Sequence, residues 1–299
     1  MENKCTNNPL VSIPIITYNS AKTIVDTLDS IYNQTYKNIE LIISDDCSLD
    51  DTIKVCEEWL NSHKDRFVRT KIITSKSNTG LSANQNRALK ECHGEWIKDF
   101  DGDDVLLPHC ISTYVSYVNE HPEVEYVFSK IKCFGGSEER RNKMETFFNY
   151  EFFEWTPEQQ YEFLTLERNC IPSLGSFYNR EAIINKYGII YDERIPLIDD
   201  WPRWINLLKS GIHMYFIDDV LSLYRMSDNA LSSQTTQTTA YNKSYALVYK
   251  YYGFKNDFKK RSKKDAVYKY LRNEKLLHDD GLFWAIVCKL YKIIILHRL

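Results

Sequence analysis

The chain has 299 residues, 43% of them hydrophobic, and a formal net charge of −3, which allows one large domain with an appendage or two domains. It contains no run of 18 or more uncharged apolar residues, and its N-terminal stretch lacks a charged segment followed by a long apolar one; a spanning helix and a signal peptide are therefore not expected, and a cytoplasmic protein is. Residues 255–299 hold 12 of the 38 Lys/Arg but 5 of the 41 Asp/Glu, so a mildly acidic body, ill suited to nucleic acid, carries a basic tail suited to an anionic surface.

In chain order, "LVSIPIIT" (10–17) and "IELIIS" (39–44) are β-branched runs of strand length, with Ile24, Leu28, Ile31 and Tyr32 at helical spacing between them. Ser48 and Asp51 suggest a capping box for a helix through about residue 62. "TKIIT" (70–74) is the next strand, 81–92 the next helix, and "EWIKDF" (95–100) a fourth strand. Residues 133–143 look like an exposed loop, and Thr156 and Pro157 look like the N-cap and first residue of a helix through about 167. From about residue 236 the pattern turns helical and rich in Tyr and Lys. Alternating strands and helices predict an α/β fold with a Rossmann-like, mostly parallel sheet whose ligands bind beyond the C-terminal strand ends. The eight cysteines form no C-x-x-C pair and read as reduced core residues.

Aspartates cluster at those strand ends. Asp45 and Asp46 close the second strand; Asp101, Asp103 and Asp104 follow the fourth. Extended backbone lets Asp101 and Asp103 point the same way, and Gly102 between them admits close approach to the main chain. Carboxylates this crowded repel one another, and the usual remedy is a divalent cation, Mn²⁺ or Mg²⁺, completed by water and phosphate oxygens. An isolated D-x-D is more often a solvated turn; with the loop "ITYNS" ending the first strand in the same neighbourhood, three strand ends converge, which favours a metal-bound nucleotide here.

The ordered segments "VSIPIITYNSAKTIVDTLDSIYNQTYKNIELIISDDCSLDDT", "NTGLSANQNRAL", "GEWIKDFDGDD" and "IDDWPRWINLLKSG" resemble the signatures of the family 2 glycosyltransferases, with the GT-A fold, over about residues 9–226. The resemblance implies an inverting enzyme that uses a nucleoside-diphosphate sugar, UDP-linked, as donor to a saccharide or lipid-linked saccharide. The sugar would be a hexosyl or N-acetylhexosaminyl unit. It assigns Thr17, Tyr18, Asn19, Asp45, Asp46, Asn78, Arg87, Asp101 and Gly102 to the donor, Asp101 and Asp103 to the metal, Asp200 as general base beside Asp199, and Arg225 to a late loop closing over the diphosphate. Three departures are visible: Pro14 inside the first strand, suggesting local irregularity; Gln85 where an arginine is frequent, leaving Arg87 to meet the diphosphate; and Ser227 where a histidine is common. A nucleotidyltransferase, which would want a basic glycine-rich loop after the first strand, and a catalytically silent module are the alternatives.

The expected organisation is a GT-A domain over 1–235, with a nucleotide-binding part at 9–132 and an acceptor side at 133–235, followed by a helical basic extension at 236–299. "FKKRSKK" (258–264) and "GLFWAIVCKLYKIIILHRL" (281–299) suggest peripheral membrane contact through an interfacial helix. Packing of that helix on the body, or on a second copy in a homodimer, is the other reading.

Overall fold

The computed structural model describes residues 8–226 and 239–253. The first half alternates as expected: β1 (Val11–Thr17), α1 (Ile24–Tyr32), β2 (Ile39–Asp45), α2 (Thr52–His63), β3 (Arg69–Thr74) and α3 (Leu81–Leu89). Three short pairings follow, β4 (Trp96–Ile97), β5 (Phe100–Asp101) and β6 (Val105–Leu106), then α4 (Cys110–Glu120), β7 (Tyr126–Phe134), α5 (Glu138–Phe147) and α6 (Pro157–Leu166). β8 (Ser176–Asn179), α7 (Asp200–Lys209), β9 (Tyr215–Arg225) and α8 (Thr239–Val248) complete the described chain. One sheet runs β3-β2-β1-β4-β8-β7-β9-β6, with β5 also on β1. β1 pairs in parallel with β2, β4 and β5, as do β2 with β3 and β7 with β9, whereas β8 runs antiparallel to β4 and β7, and β6 to β9.

Both faces are covered, which explains why these strands are continuously apolar rather than alternating. Val11, Ile13 and Ile15 of β1 and Leu41 and Ile43 of β2 pack under α1, α2 and α4. Ile42, one residue out of phase and so on the opposite face, joins residues of α3, α6, α7 and α8. Residues 239–253 belong to that second core: Tyr245 and Tyr249 pack on Trp201 with ring centroids 4.9 and 5.4 Å away, and the Tyr249 hydroxyl donates to the Glu167 carbonyl at 2.8 Å. Residues 258–299 and Ser227 lie outside the described residues. No described helix is long and apolar enough to cross a membrane. Cys56, Cys92, Cys110, Cys133 and Cys170 are buried and free, and Cys47 is free and half-buried.

Three local expectations change. The fourth strand is split in two: β1 is regular against β2 along its whole length, but its other edge pairs only at Val11–Ser12 and Ile15–Ile16. The Ser12 and Ile16 carbonyls accept from the Lys98 and Gly102 amides, so Pro14, on the same edge, faces this neighbour without an N–H to give. The irregularity expected at Pro14 thus appears in the adjoining ladder, at Lys98 and Asp99. Helix α2 lacks the Ser48/Asp51 capping box; Asp50 accepts from the Thr52 amide at 3.0 Å, because the Ser48 hydroxyl is turned to Asp45. The segment expected as a loop at 133–143 carries the polar helix α5, capped by Ser137. At α6 the reading holds, with a full Thr156/Gln159 capping box and Pro157 in the first turn.

Candidate active site

The loops after β1 and β2 are tied to each other. Asn19 adopts φ 54° and Cys47 φ 67°; the Asn19 amide donates to Ser48 Oγ at 2.8 Å, and Asn19 Oδ1 accepts from the Leu49 amide at 2.8 Å. Asp45, buried, accepts from Thr17 Oγ1 at 2.9 Å, from the Ser48 amide at 2.8 Å and from the Ser48 hydroxyl. Its carboxylate therefore fixes the first strand end to the second. Tyr18 stands exposed beside it.

Asp46 is equally occupied. It accepts from the amides of Thr79 and Gly80 at 2.8 Å each, from Thr79 Oγ1 at 2.6 Å and from Arg87 Nη2 at 3.2 Å. Exposed Asn78 caps the same turn, its Oδ1 accepting from Gly80 at 3.1 Å. Arg87 also donates to Asn84 Oδ1 at 2.9 Å and Thr79 Oγ1 at 2.6 Å. The sequence suggested a cation presented to a diphosphate; in this structure the guanidinium closes the 78–80 turn against α3. Gln85, the other departure, is buried with its Oε1 unpartnered.

The acidic loop after β5 is held from behind. Arg225, at the end of β9, donates Nε to the Asp103 carbonyl at 2.6 Å, its amide to Asp104 Oδ1 at 2.8 Å and Nη2 to Asp26 at 2.8 Å, with its guanidinium over the Phe134 ring. It braces the loop rather than standing free above it. Gly102 has a different reason from the one expected: a Cβ there would lie 2.8 Å from Thr17 Cγ2 and 3.1 Å from the Ile16 carbonyl oxygen. The protein's own first strand fills the space. Asp101 and Asp103 are left half-buried, and no described residue donates a hydrogen bond to either carboxylate from a side chain. Burial, then Asp103 and Asp99, pushes the Asp101 carboxyl up to about 7; burial raises Asp103 against the opposing pull of Arg225.

Asp199 and Asp200 open α7, where backbone amides point outward and favour negative charge. Asp200 Oδ1 accepts from the Trp201 amide at 2.6 Å and Oδ2 from Asn169 Nδ2 at 2.7 Å. Its carboxyl is pushed up to about 6 by burial, with both of those donors opposing. Repulsion acts on Asp199, which burial, Asp200 and Asp101 together raise well above the carboxylate range. The same influences tie the two halves of the chain: Asp101 acts on Asp199, and Asp200 on Asp101.

Beneath these four carboxylates lies a network that sequence reasoning missed. At the ladder gap left by Pro14, Lys98 is fully buried, its ammonium donating to the Leu174 carbonyl and, at 3.2 Å, to the Asp99 carbonyl. The Asp99 carboxylate accepts from Arg203 Nη1 at 2.7 Å, Tyr191 OH at 2.6 Å and Tyr178 OH at 2.9 Å. Arg203, 0% exposed, sits one turn after Asp200 with its guanidinium 4.2 Å from the Tyr178 ring centroid and 4.5 Å from that of Tyr191. The available signal was a pair of charged residues inside an apolar strand, and an arginine between Trp201 and Trp204.

Among the described residues no group of three or more His, Cys, Asp or Glu is gathered as a metal site. Asp101 and Asp103 nonetheless fit a divalent cation completed by donor oxygens, since no described side chain donates a hydrogen bond to either carboxylate and Mg²⁺ or Mn²⁺ commonly takes only one or two carboxylates.

The model of the glycosyl transferase family 2 matches residues 12–186. Among curated relatives, EpsE of Bacillus subtilis is 33% identical over 121 residues, 40% of this chain and 42% of that protein, so the match spans less than half of it. The UDP-Glc:alpha-D-GlcNAc-diphosphoundecaprenol beta-1,3-glucosyltransferase WfaP of Escherichia coli is 31% identical over 228 residues, 75% of this chain and 80% of that one. Of solved structures, Staphylococcus aureus TarS 1–349 with UDP-GlcNAc superposes with a TM-score of 0.66 at 18% identity, over 92% of this chain and 77% of that one. The Pyrobaculum calidifontis mannosyltransferase PcManGT, with GDP-Man and Mn²⁺, gives 0.62 at 16%, over 98% and 82%. At such identities the likeness speaks for the fold alone. The matched family segment, the curled sheet and the shared architecture agree: the chain belongs to glycosyltransferase family 2 and has the GT-A fold.

Proposed function

We propose that the protein is a metal-dependent, inverting glycosyltransferase. It moves a hexosyl or N-acetylhexosaminyl unit from a UDP-linked donor to a hydroxyl of a saccharide or lipid-linked saccharide, in the synthesis of a surface polysaccharide or glycoconjugate on the cytoplasmic side. The observation that carries this reading is the gathering of two half-buried acidic pairs, Asp101 and Asp103 after β5 and Asp199 and Asp200 at the start of α7, with the Asp200 oxygens held by Trp201 and Asn169; the mutual influence of Asp101, Asp199 and Asp200 supports it. The donor and acceptor classes are supported by WfaP, whose name specifies UDP-Glc and a diphosphoundecaprenol-linked sugar.

Asp101 and Asp103 would hold Mn²⁺ or Mg²⁺, which when bound neutralises charge developing on the departing diphosphate. The residues of the chain do the rest. The acceptor oxygen bonds to the anomeric carbon from the side opposite the diphosphate while the bond to the leaving oxygen breaks, and its proton passes to the Asp200 carboxylate. Attack from the opposite side inverts the anomeric centre. The burial that lifts Asp200 to about 6 makes it a stronger base than an exposed aspartate and leaves it mostly ionised near neutrality. Residues 258–299 would bring the enzyme to an anionic membrane carrying the acceptor.

Thermal-shift measurements with UDP and GDP, each with and without Mn²⁺, test the donor site; the largest rise is expected for UDP with Mn²⁺. Asp200→Asn is expected to lower transfer by about 10²–10⁴-fold while UDP and Mn²⁺ still stabilise the protein. Unchanged turnover in that variant would remove the base from the mechanism.

A further inference from the structure

The Asp200 carboxylate has a partner far away in sequence. Asn169 lies between α6 and β8, 31 positions earlier, and donates its Nδ2 to Asp200 Oδ2 at 2.7 Å. The direction of this bond is set by the rest of the side chain. Asn169 Oδ1 accepts from the Ile171 amide at 3.0 Å, and an amide N–H can only donate, so the carboxamide nitrogen is the end left to face Asp200. The turn that carries it is anchored: Cys170 and Ile171 are each 1% exposed in the second core, and the Cys170 carbonyl accepts from the Asn149 amide at 3.0 Å.

Two fixed donors, this carboxamide and the Trp201 amide on Oδ1, take one lone pair on each oxygen of Asp200. With the residue's own amide also directed at the carboxylate, a lone-pair position is still left for an incoming proton. Both bonds favour the ionised carboxylate, and they oppose burial, the dominant influence on this group. The titratable groups that feel the Asp200 charge are Asp199 at the start of α7, Asp101 on β5 and Tyr126 on β7, each of them raised by it. Among the described residues two cations stand close in the chain and both are turned elsewhere: Arg168 donates to the Phe147 and Asn169 carbonyls, and Arg203 to Asp99 and Tyr191, so the carboxamide is the side chain that meets the carboxylate.

We propose that Asn169 is a positioning residue for the base, holding the Asp200 side chain in one orientation and keeping it ionised. This rests on Asp200 being the base. Loss of the carboxamide removes a hydrogen bond to the charged form, so the proton affinity of Asp200 must rise. A carboxylate at position 169 must raise it further by adding like charge.

The test uses the full-length protein and needs no acceptor. The Asp200 carboxyl is titrated by ¹³C NMR of aspartate-labelled protein, its resonance identified by its disappearance in Asp200→Asn. The same set is assayed for UDP release from UDP-glucose and UDP-N-acetylglucosamine with Mn²⁺, water serving as acceptor. Expected are an upward shift of the Asp200 midpoint in Asn169→Ala and a larger one in Asn169→Asp. UDP release should fall on the order of tenfold or more in both, its acid limb moving with the midpoint and stabilisation by UDP and Mn²⁺ retained. Asn169→Ser, which keeps a donor, should recover part of both effects. An unchanged Asp200 midpoint in Asn169→Ala and Asn169→Asp overturns the proposal and leaves the function standing. A wild-type rate of UDP release in Asp200→Asn overturns both.

Discussion

Among the described residues, two other than glycine adopt positive φ, Asn19 and Cys47, and only the first is compensated. Asn19 places its side chain on the Leu49 amide, whereas no hydrogen bond of Cys47 offsets its left-handed backbone, which costs a non-glycine residue about 1–2 kcal/mol. Cys47→Gly is therefore expected to stabilise the protein by up to about 1 kcal/mol, after the greater unfolded-state freedom of glycine is subtracted; urea denaturation reads it, and a loss of stability would contradict the backbone argument. Gly102→Ala should act the other way, by about 1–3 kcal/mol, because the new methyl meets Thr17 Cγ2 at 2.8 Å. Thr17→Ser removes that methyl and keeps the hydroxyl on Asp45, so it should recover part of the loss when combined with Gly102→Ala. The sequence made Asp45, Asp46 and Asp101 visible as strand-end carboxylates. It could not separate those whose charge is absorbed by neighbouring side chains, Asp45 and Asp46, from those to which no described side chain donates, Asp101 and Asp103, since that distinction rests on partners such as Ser48 and Thr79.

The strands and helices of the first half were legible because burial on both faces leaves unbroken β-branched runs, and because helices of 9 to 12 residues separate them. The gap between β4 and β5 was not, because its cause sits on a neighbouring strand, at Pro14. What the gap makes room for is the Asp99–Arg203 pair, which joins the acidic loop to α7. Removing one partner of a buried pair leaves the other charged and unsolvated. Arg203→Met is expected to cost about 3–5 kcal/mol. Adding Asp99→Asn should return a sizeable part of that, a coupling that a double-mutant cycle in urea measures directly. If the two losses simply add, the pair does not join these elements.

The whole molecule should respond to pH in a way set by its carboxylate cluster. Asp101, raised to about 7, and Asp200, raised to about 6, hold protons in the folded state that the unfolded chain has released. Between the unfolded carboxylate range near pH 4 and about pH 7 the folded state thus binds more protons, so stability falls as pH rises through this window. Glu40, Asp50 and Asp192 are lowered and act oppositely, their contribution disappearing below about pH 4. Mn²⁺ should raise the melting temperature more at about pH 7.5 than at about pH 5, where protons compete for the same oxygens; equal shifts would mean that the ion binds elsewhere. The composition change near residue 236 is also less of a boundary than it looks from sequence, for the tyrosines of residues 239–253 close the core over Trp201, the neighbour of Asp200. Any shortened version that stops at 235 would therefore lay bare the indole next to Asp200, whereas one that stops at 253 keeps its roof.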